Sequence, residues 1–533
     1  MALTQTLPRY GARFLPLLVA LIIALPIASA LWFGISAGGG STWDHILHNR
    51  LLPYTLTTIS VLVLTGFFIL ALALPAAWLV SVCEFPGRWI FEWALILPLA
   101  VPGYVMAYAW GDLAGVAGPV QSALREMTGL SARDYWFPDM FSATGLAFIL
   151  ASTLYPYVYI TARAAFSNQS LAILEAARSL GASGWRLFVR VALPAARPAI
   201  IAGLALALME AAADYGAADF LGIQTLGVGI VRAWSSFGEP ATAARLALVL
   251  ISIAFLFIIL ARIAQGGART QQTSTRWLTP TRNQLRGINK WSALALCVSI
   301  LLVAFALPLS RLLWLSIEHG PSNAPLLSPL LNSLVLGLAG TALAFICALT
   351  LVLGTRTLAS AAWLPRLMTT AGYAAPGVVL GLGGLFLLKA TGQALTGSLA
   401  LALLIWIYAS RFTAAGTEPL HAAMARAPKS LNYATSSLGV TGLKRLWQVD
   451  LPIILPGALA GGLILFVETL KELPATLMLR PFGWDTLAVR AHAYASDERL
   501  AEATLPALLI TLAGLGPVLL LSWRLSSSGH KIE

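Results

Sequence analysis

Charge is what this chain has least of. Of its 533 residues 11% are charged and 58% hydrophobic, whereas ordinary soluble domains carry about 25% charged residues. That excludes a globular domain bathed in water; the solvent for most of this surface must be lipid. Cysteine is nearly absent. Cys83, Cys297 and Cys347 stand in or beside apolar runs, and no pair has metal-ligand spacing such as CxxC, so they read as small buried hydrophobes. A GxxxxGK[ST] phosphate loop is missing as well. The nearest phrase, GVTGLK at Gly439–Lys444, has the wrong spacing. No nucleophile–base set or metal cluster stands out and the six histidines are scattered, which argues against a membrane enzyme. Acids are the scarcer charge, 22 against 34 Lys and Arg. The bases are dispersed among apolar runs rather than gathered on one domain, which speaks against a nucleic-acid partner.

What is present is a series of apolar runs long enough to cross a bilayer as helices. About twelve are expected, near 14–34, 54–82, 90–111, 143–162, 198–217, 243–261, 291–317, 329–354, 367–388, 397–416, 456–476 and 502–523, which makes the fold all-α and polytopic. With the N-terminus inside, roughly two thirds of the Lys and Arg fall on inner segments, Arg88, Arg163, Arg411 and Lys444 among them. Both termini are then cytoplasmic, and the first run is an uncleaved anchor despite the ASA triplet at Ala28–Ala30.

Residues 262–290 hold six bases and no acid, with Gly, Ser, Thr and Gln in quantity. That composition suits a flexible cytoplasmic linker between a first unit, 1–261, and a second, 291–533. Six spans per unit give both units the same orientation, a parallel repeat. The duplication is visible in the residues. EAARSLGASGWRLFVRVALPAARPAI begins at Glu175 and YATSSLGVTGLKRLWQVDLPIILPGAL at Tyr433. Gly181 and Gly439 stand 258 residues apart (439 − 181), and Pro194/Pro452, Pro198/Pro456 and Gly203/Gly461 keep that offset. Pro102-Gly103 and Pro376-Gly377 recur inside the third span of each unit, where they mark kinks or close backbone approach.

In the first copy, Glu175, Ala176 and Ala177 open a short helix that Gly181 ends and turns. Trp185, Leu187, Phe188 and Val191 give a second short helix an apolar face, with Arg186 and Arg190 on the wet side. Leu193-Pro194 then re-enters the membrane. The pattern Glu-Ala-Ala, Gly, Leu-Pro resembles the coupling loop of binding-protein-dependent ABC importer permeases, here two permease units fused. The resemblance implies that the loops near 175–198 and 433–456 dock on a separate ATP-binding subunit. Glu175, Ala176, Ala177, Gly181, Leu193 and Pro194 carry the first contact, and Gly439, Leu451 and Pro452 the second. It also implies a homodimeric ATPase that uses the ATP, a periplasmic binding protein, a bacterial inner membrane, and no cofactor bound by this chain. Tyr433 and Thr435 depart from the pattern at the places of Glu175 and Ala177, so the two contacts need not be equal.

After each loop comes a span with two acids, Glu210 and Asp214 in the first copy and Glu468 and Glu472 in the second. The i,i+4 spacing puts each pair on one helix face. Charges inside a bilayer cost about 2.5–3.5 kcal/mol at the helix centre and normally face protein or water. Two readings remain open: a cation-attracting pathway, since hard oxygen ligands suit hard cations, or structural acids paired with Lys471, Arg232 or another base. The segments Met209–Ala247 and Glu468–Ala503 resemble the iron(III) branch of the family. Sister branches carry thiamine or phosphonate. An ion-coupled secondary transporter using the same acids is the competing class, but it has no need of two docking loops.

Overall fold

The computed structural model describes residues 7–36, 38, 41–167, 179, 184–265, 282–320, 325–355, 363–425, 435, 437, 438, 440 and 442–527. They are almost entirely helical. Among the described residues nine helices are long and apolar enough to cross a membrane, or up to twelve spans if each of three bent helix pairs counts as one. All twelve fall on the runs expected from the sequence. The second, Leu51–Val82, is one unbroken helix of 32 residues. At 1.5 Å per residue it reaches about 48 Å, more than a bilayer's hydrocarbon core of about 30 Å, so it tilts or projects.

Two compact units form, and they interleave along the chain. One comprises Met1–Trp43, Ile230–Leu248 and Ala324–Arg490; the other comprises Asp44–Gly229, Val249–Asn323 and Ala491–Glu533. The first helix of the chain, Leu7–Ser36, thus packs with helices of the second sequence half. Its backbone comes so close to the Gly377–Ala390 helix that a β-carbon at Gly383 would collide with the carbonyl of Pro26.

The Pro-Gly breaks are sharper than kinks. Arg88–Ala100 meets the stretch Gly103–Thr128, made of the helices Gly103–Ala114 and Pro119–Thr128, at 95°, and Trp363–Ala374 meets Gly377–Ala390 at 108°. In each case the proline takes an extended conformation and the glycine starts a new helix. In the first half the Tyr155 and Tyr159 hydroxyls hold the break in place by donating to the Leu95 and Phe91 carbonyls, at 2.8 and 3.1 Å. Gly203 and Gly461 lie where the span after the repeated loop crosses the long helix before it. A side chain at 203 would strike Thr161 and the Tyr157 carbonyl, and at 461 a β-carbon would lie 3.1 Å from the Gly416 carbonyl. Small residues let membrane helices approach this closely.

The end of the linker is structured. Asn283–Gln284 pair in parallel with Cys83–Glu84. Beside them Glu84 bridges Arg88 and Arg282 at 3.2 and 3.7 Å, and Glu92 pairs with Arg88 and Arg163. Arg163 sits near the end of Ala143–Ser167, the helix that leads into the first repeated loop.

Candidate functional site

The repeated loops show their duplication in backbone geometry. Gly184–Leu187 is helical, Phe188–Ala192 is a π turn, and Leu193–Ala213 continues as an α-helix. In the second copy Gly442–Arg445, the π turn Leu446–Asp450 and Leu451–Lys471 follow in the same order at the same offset of 258. A third π turn, Leu302–Ala306, also comes directly before a Leu-Pro pair, Leu307-Pro308. The cause is shared. A proline just inside a helix donates no backbone hydrogen bond and its ring crowds the carbonyl one turn back; widening that turn to π accommodates it. Leu193, Pro194, Leu451 and Pro452 therefore continue a helix rather than begin one after a break. The second short helix of each loop runs on through the π turn into the membrane helix. Phe188 anchors it in the first copy, with ring centroids 5.2 Å from Trp78 and 6.1 Å from Phe166, while Arg186 and Arg190 are exposed. In the second copy Asp450, nearly buried, pairs with Arg445 at 3.3 Å. Glu175, Ala176, Ala177, Gly181 and Gly439 lie outside the described residues.

The membrane acids correct one expectation. The helix stops one residue before the second acid of each pair, at Ala213 and Lys471, so the two carboxylates do not share a helix face. Asp214 and Glu472 instead adopt extended backbone, and their side chains cap the short helices that follow, Gly216–Phe220 and Pro474–Leu479. Asp214 Oδ2 accepts from the Ala217 and Ala218 N–H groups at 3.1 and 3.2 Å. The Glu472 carboxylate accepts from Ala475 N and Thr476 N at 2.9 Å each, and from Thr476 Oγ1 at 2.6 Å. A carboxylate suits such a place because first-turn N–H groups have no partner within their own helix. Both Pro-Gly breaks press on these same carboxylates. A β-carbon at Gly103 would lie 3.2 Å from Asp214 Oδ1, and one at Gly377 would collide with Glu472 Oε1.

The two halves then diverge. In the second, Arg411 reaches Glu472 Oε1 at 3.3 Å and Lys471 reaches Glu468 Oε1 at 2.9 Å. Arg411, counted with the inner segments from the sequence, is buried well inside the Gly397–Ala425 helix. At the same offset the first half has Thr153 and Ala213. There Asp214 lines a small cavity of about 10 Å³, with Thr58, Leu150 and Thr225 among its walls; that is room for roughly one water.

Sequence reasoning missed a largely buried chain of polar groups that links two residues of the first half through one of the second. The Tyr108 hydroxyl lies 3.1 Å from His492 Nδ1, and His492 Nε2 lies 3.3 Å from Asp219 Oδ2. Tyr108 follows the Pro-Gly break, and Asp219 sits in the short helix that Asp214 caps. His492 comes from Leu487–Ser496, whose TLAV start repeats the TLGV of Thr225–Val228. Each of these two helices is anchored alike: Leu226 N donates to Thr58 Oγ1 at 2.9 Å, and Leu487 N to Ser333 Oγ at 2.8 Å. Aligned that way, Val231 occupies the place of His492. Tyrosine and aspartate approach opposite ring nitrogens, so the imidazole links them but the three do not converge on a common point. Among the described residues no group of three or more His, Cys, Asp or Glu side chains could hold a metal ion.

Duplicated loops with matched π turns, in a chain with up to twelve spans among its described residues, set the context for the comparisons. Residues 13–269 match the family described as binding-protein-dependent transport system inner membrane component. Across both halves the chain is 25% identical to the Fe(3+)-transport system permease protein FbpB 2 of Haemophilus influenzae, over 523 residues that cover 96% of this chain and 98% of that one. The chain is an ABC importer permease of the binding-protein-dependent class. It is a fused, two-unit inner-membrane permease, a transport component rather than a catalytic subunit. It is also 28% identical to the sulfate transport system permease protein CysT of Escherichia coli, over 38% of this chain and 71% of that one. The molybdenum transport system permease protein ModB of the same organism is 28% identical over 40% of this chain and 94% of its own length.

Proposed function

We propose that this permease carries iron(III), received from a periplasmic binding protein and driven by ATP hydrolysis on a separate subunit. The observation that carries the reading is the reach of the iron-permease similarity. It spans both halves, whereas the sulfate and molybdenum relatives match about 40% of the chain. In the first half the membrane carboxylates support a cationic cargo over an oxyanion, since they attract the one and repel the other; in the second half Lys471 and Arg411 offset Glu468 and Glu472. Of the four acids, Glu210 and Asp214 act as electrostatic guides rather than as a closed coordination shell, because a site that held the ion as tightly as its delivery protein would stall release; Glu468 and Glu472, paired with Lys471 and Arg411, take the structural role. Thiamine and phosphonate remain the alternative cargoes.

The loops around Gly181 and Gly439 dock on an ATP-binding homodimer, one loop per subunit. That places the loops, the 262–290 linker and both termini in the cytoplasm, the six-span units 1–261 and 291–533 in parallel, and the short helices after Asp214 and Glu472 toward the periplasm. The chain itself binds no cofactor, needs no nucleic acid and is solvated by membrane lipid. The test is uptake by cells that express this chain with its ATPase and binding protein. Labelled iron(III) should accumulate, and labelled sulfate, molybdate, thiamine and phosphonate should not. Uptake of one of those in place of iron would refute the assignment.

A further inference from the structure

Residues 115–142 join two spans on the membrane side opposite the repeated loops, and their amphipathicity is inverted. The helix Pro119–Thr128 separates apolar from polar faces more sharply than any other described helix, with little net hydrophobicity. Val120, Ala123 and Met127 follow one another at steps of three and four residues, a single stripe. In a water-soluble fold that stripe would turn inward. Here it turns outward: Met127 is 86% exposed, Val120 is exposed, and Val116 and Leu130 extend the exposed apolar surface at either end. The polar face turns in. Gln121 is buried, donates to the Ala114 carbonyl at 2.9 Å and accepts from the Tyr135 hydroxyl at 2.8 Å. Arg125 donates to Tyr135 Oη and Ser122 Oγ. The turn beyond the helix is equally fixed: Ser131 donates to Asp134 through its N–H and its hydroxyl, which holds that carboxyl below its usual range.

We infer that Pro119–Thr128 lies in the lipid headgroup layer with Val120, Ala123 and Met127 against the acyl chains. The occupant of the stripe follows from its continuity with the lipid-facing surface of the spans. The segment leaves directly from the end of the Gly103–Ala114 helix. Packed on that helix is Leu307–Glu318, joined to it through the Arg311–Asp112 ion pair. Its Leu313, Trp314 and Ile317 side chains are exposed as well. Trp136, also 86% exposed, suits the same depth, since tryptophan concentrates at membrane–water boundaries. A helix of strong amphipathicity and low net hydrophobicity is the kind that lies in this layer rather than crossing it. The second half has no such segment, since its corresponding connection is only about Thr391–Thr396. The interfacial helix would therefore fix the tilt of one Pro-Gly break and not of the other.

Site-directed fluorescence tests this on the full chain. Single cysteines replace Met127, Val120 and, as the polar-side control, Glu126, with Cys83, Cys297 and Cys347 changed to alanine. Each variant is labelled with bimane and reconstituted in phosphatidylethanolamine–phosphatidylglycerol vesicles containing a lipid with a doxyl quencher near the top of its acyl chain. Quenching at Met127→Cys and Val120→Cys should exceed that at Glu126→Cys at least about twofold; Val120→Cys decides if Met127→Cys does not insert. Equal, weak quenching at all three positions overturns the inference. So does a label at 127 that the lipid quencher leaves bright but that an added binding protein shields, which would make the stripe a protein-docking surface.

Discussion

Gly377 faces the Glu472 carboxylate with no room between them for a side chain. A β-carbon on residue 377 would run into both Glu472 Oε1 and Arg411 Nη1. The carboxylate is meanwhile tied to two backbone N–H groups and a threonine hydroxyl. The break in one span is thus locked to the acid that ends another. Gly377→Ala should destabilise the protein by about 1–3 kcal/mol, the usual cost of overpacking. Gly103→Ala should cost less, because its nearest contacts, Asp214 Oδ1 and Leu150, stand at 3.2 Å. Thermal unfolding of the two variants in detergent checks the order; equal midpoints would contradict it.

The buried Arg411–Glu472 pair yields a double-mutant prediction. Glu472→Gln leaves the guanidinium buried without its counter-charge, a loss of about 3–5 kcal/mol in comparable sites. Adding Arg411→Met should restore much of that stability. Asp214→Asn in the first half should be milder, because asparagine caps helices about as well as aspartate. Unfolding midpoints of Glu472→Gln, Arg411→Met, their double variant and Asp214→Asn measure the coupling. If Glu472→Gln and Asp214→Asn are equally harmful, the halves do not differ as described.

The Tyr108–His492–Asp219 chain carries a separate expectation. His492→Phe keeps a flat aromatic ring but leaves the buried Tyr108 hydroxyl without its hydrogen-bond partner on that ring, at a cost of about 1–3 kcal/mol. Adding Tyr108→Phe should recover most of it. The unfolding midpoints of the single and double variants decide, and no recovery in the double variant would mean that ring packing matters more than the hydrogen bond.

Coupling is tested at the loop glycines. Gly181→Val or Gly439→Val should disturb the turn that the sequence leads one to expect there, so that ATP hydrolysis continues while uptake falls and the chain stays inserted. Normal uptake in both variants would argue against docking there.

Much of this architecture was legible in the residues, because the signals are long or duplicated. Twelve apolar runs, the 258 offset and the two Pro-Gly pairs each needed no knowledge of packing. The capping role of Asp214 and Glu472 was hidden. An i,i+4 spacing suggests one helix face, and nothing local announces that the helix ends a residue early; only Pro474, which cannot donate a backbone hydrogen bond, hinted at it in the second copy. Arg411 could have been found, since a lone arginine in an apolar run calls for a buried partner. His492 could not. Its partners stand 384 and 273 residues away in sequence (492 − 108 and 492 − 219), and no periodic pattern connects them.

The most direct test of the account is the energy source. Vesicles containing this chain and its ATP-binding subunit are loaded with ATP, so that the subunits facing inward alone can use it, and are given iron-loaded binding protein outside. Iron(III) should enter only with trapped ATP and binding protein present, and collapsing proton and sodium gradients should leave the rate unchanged. Iron entry that needs an ion gradient and proceeds without ATP would contradict it.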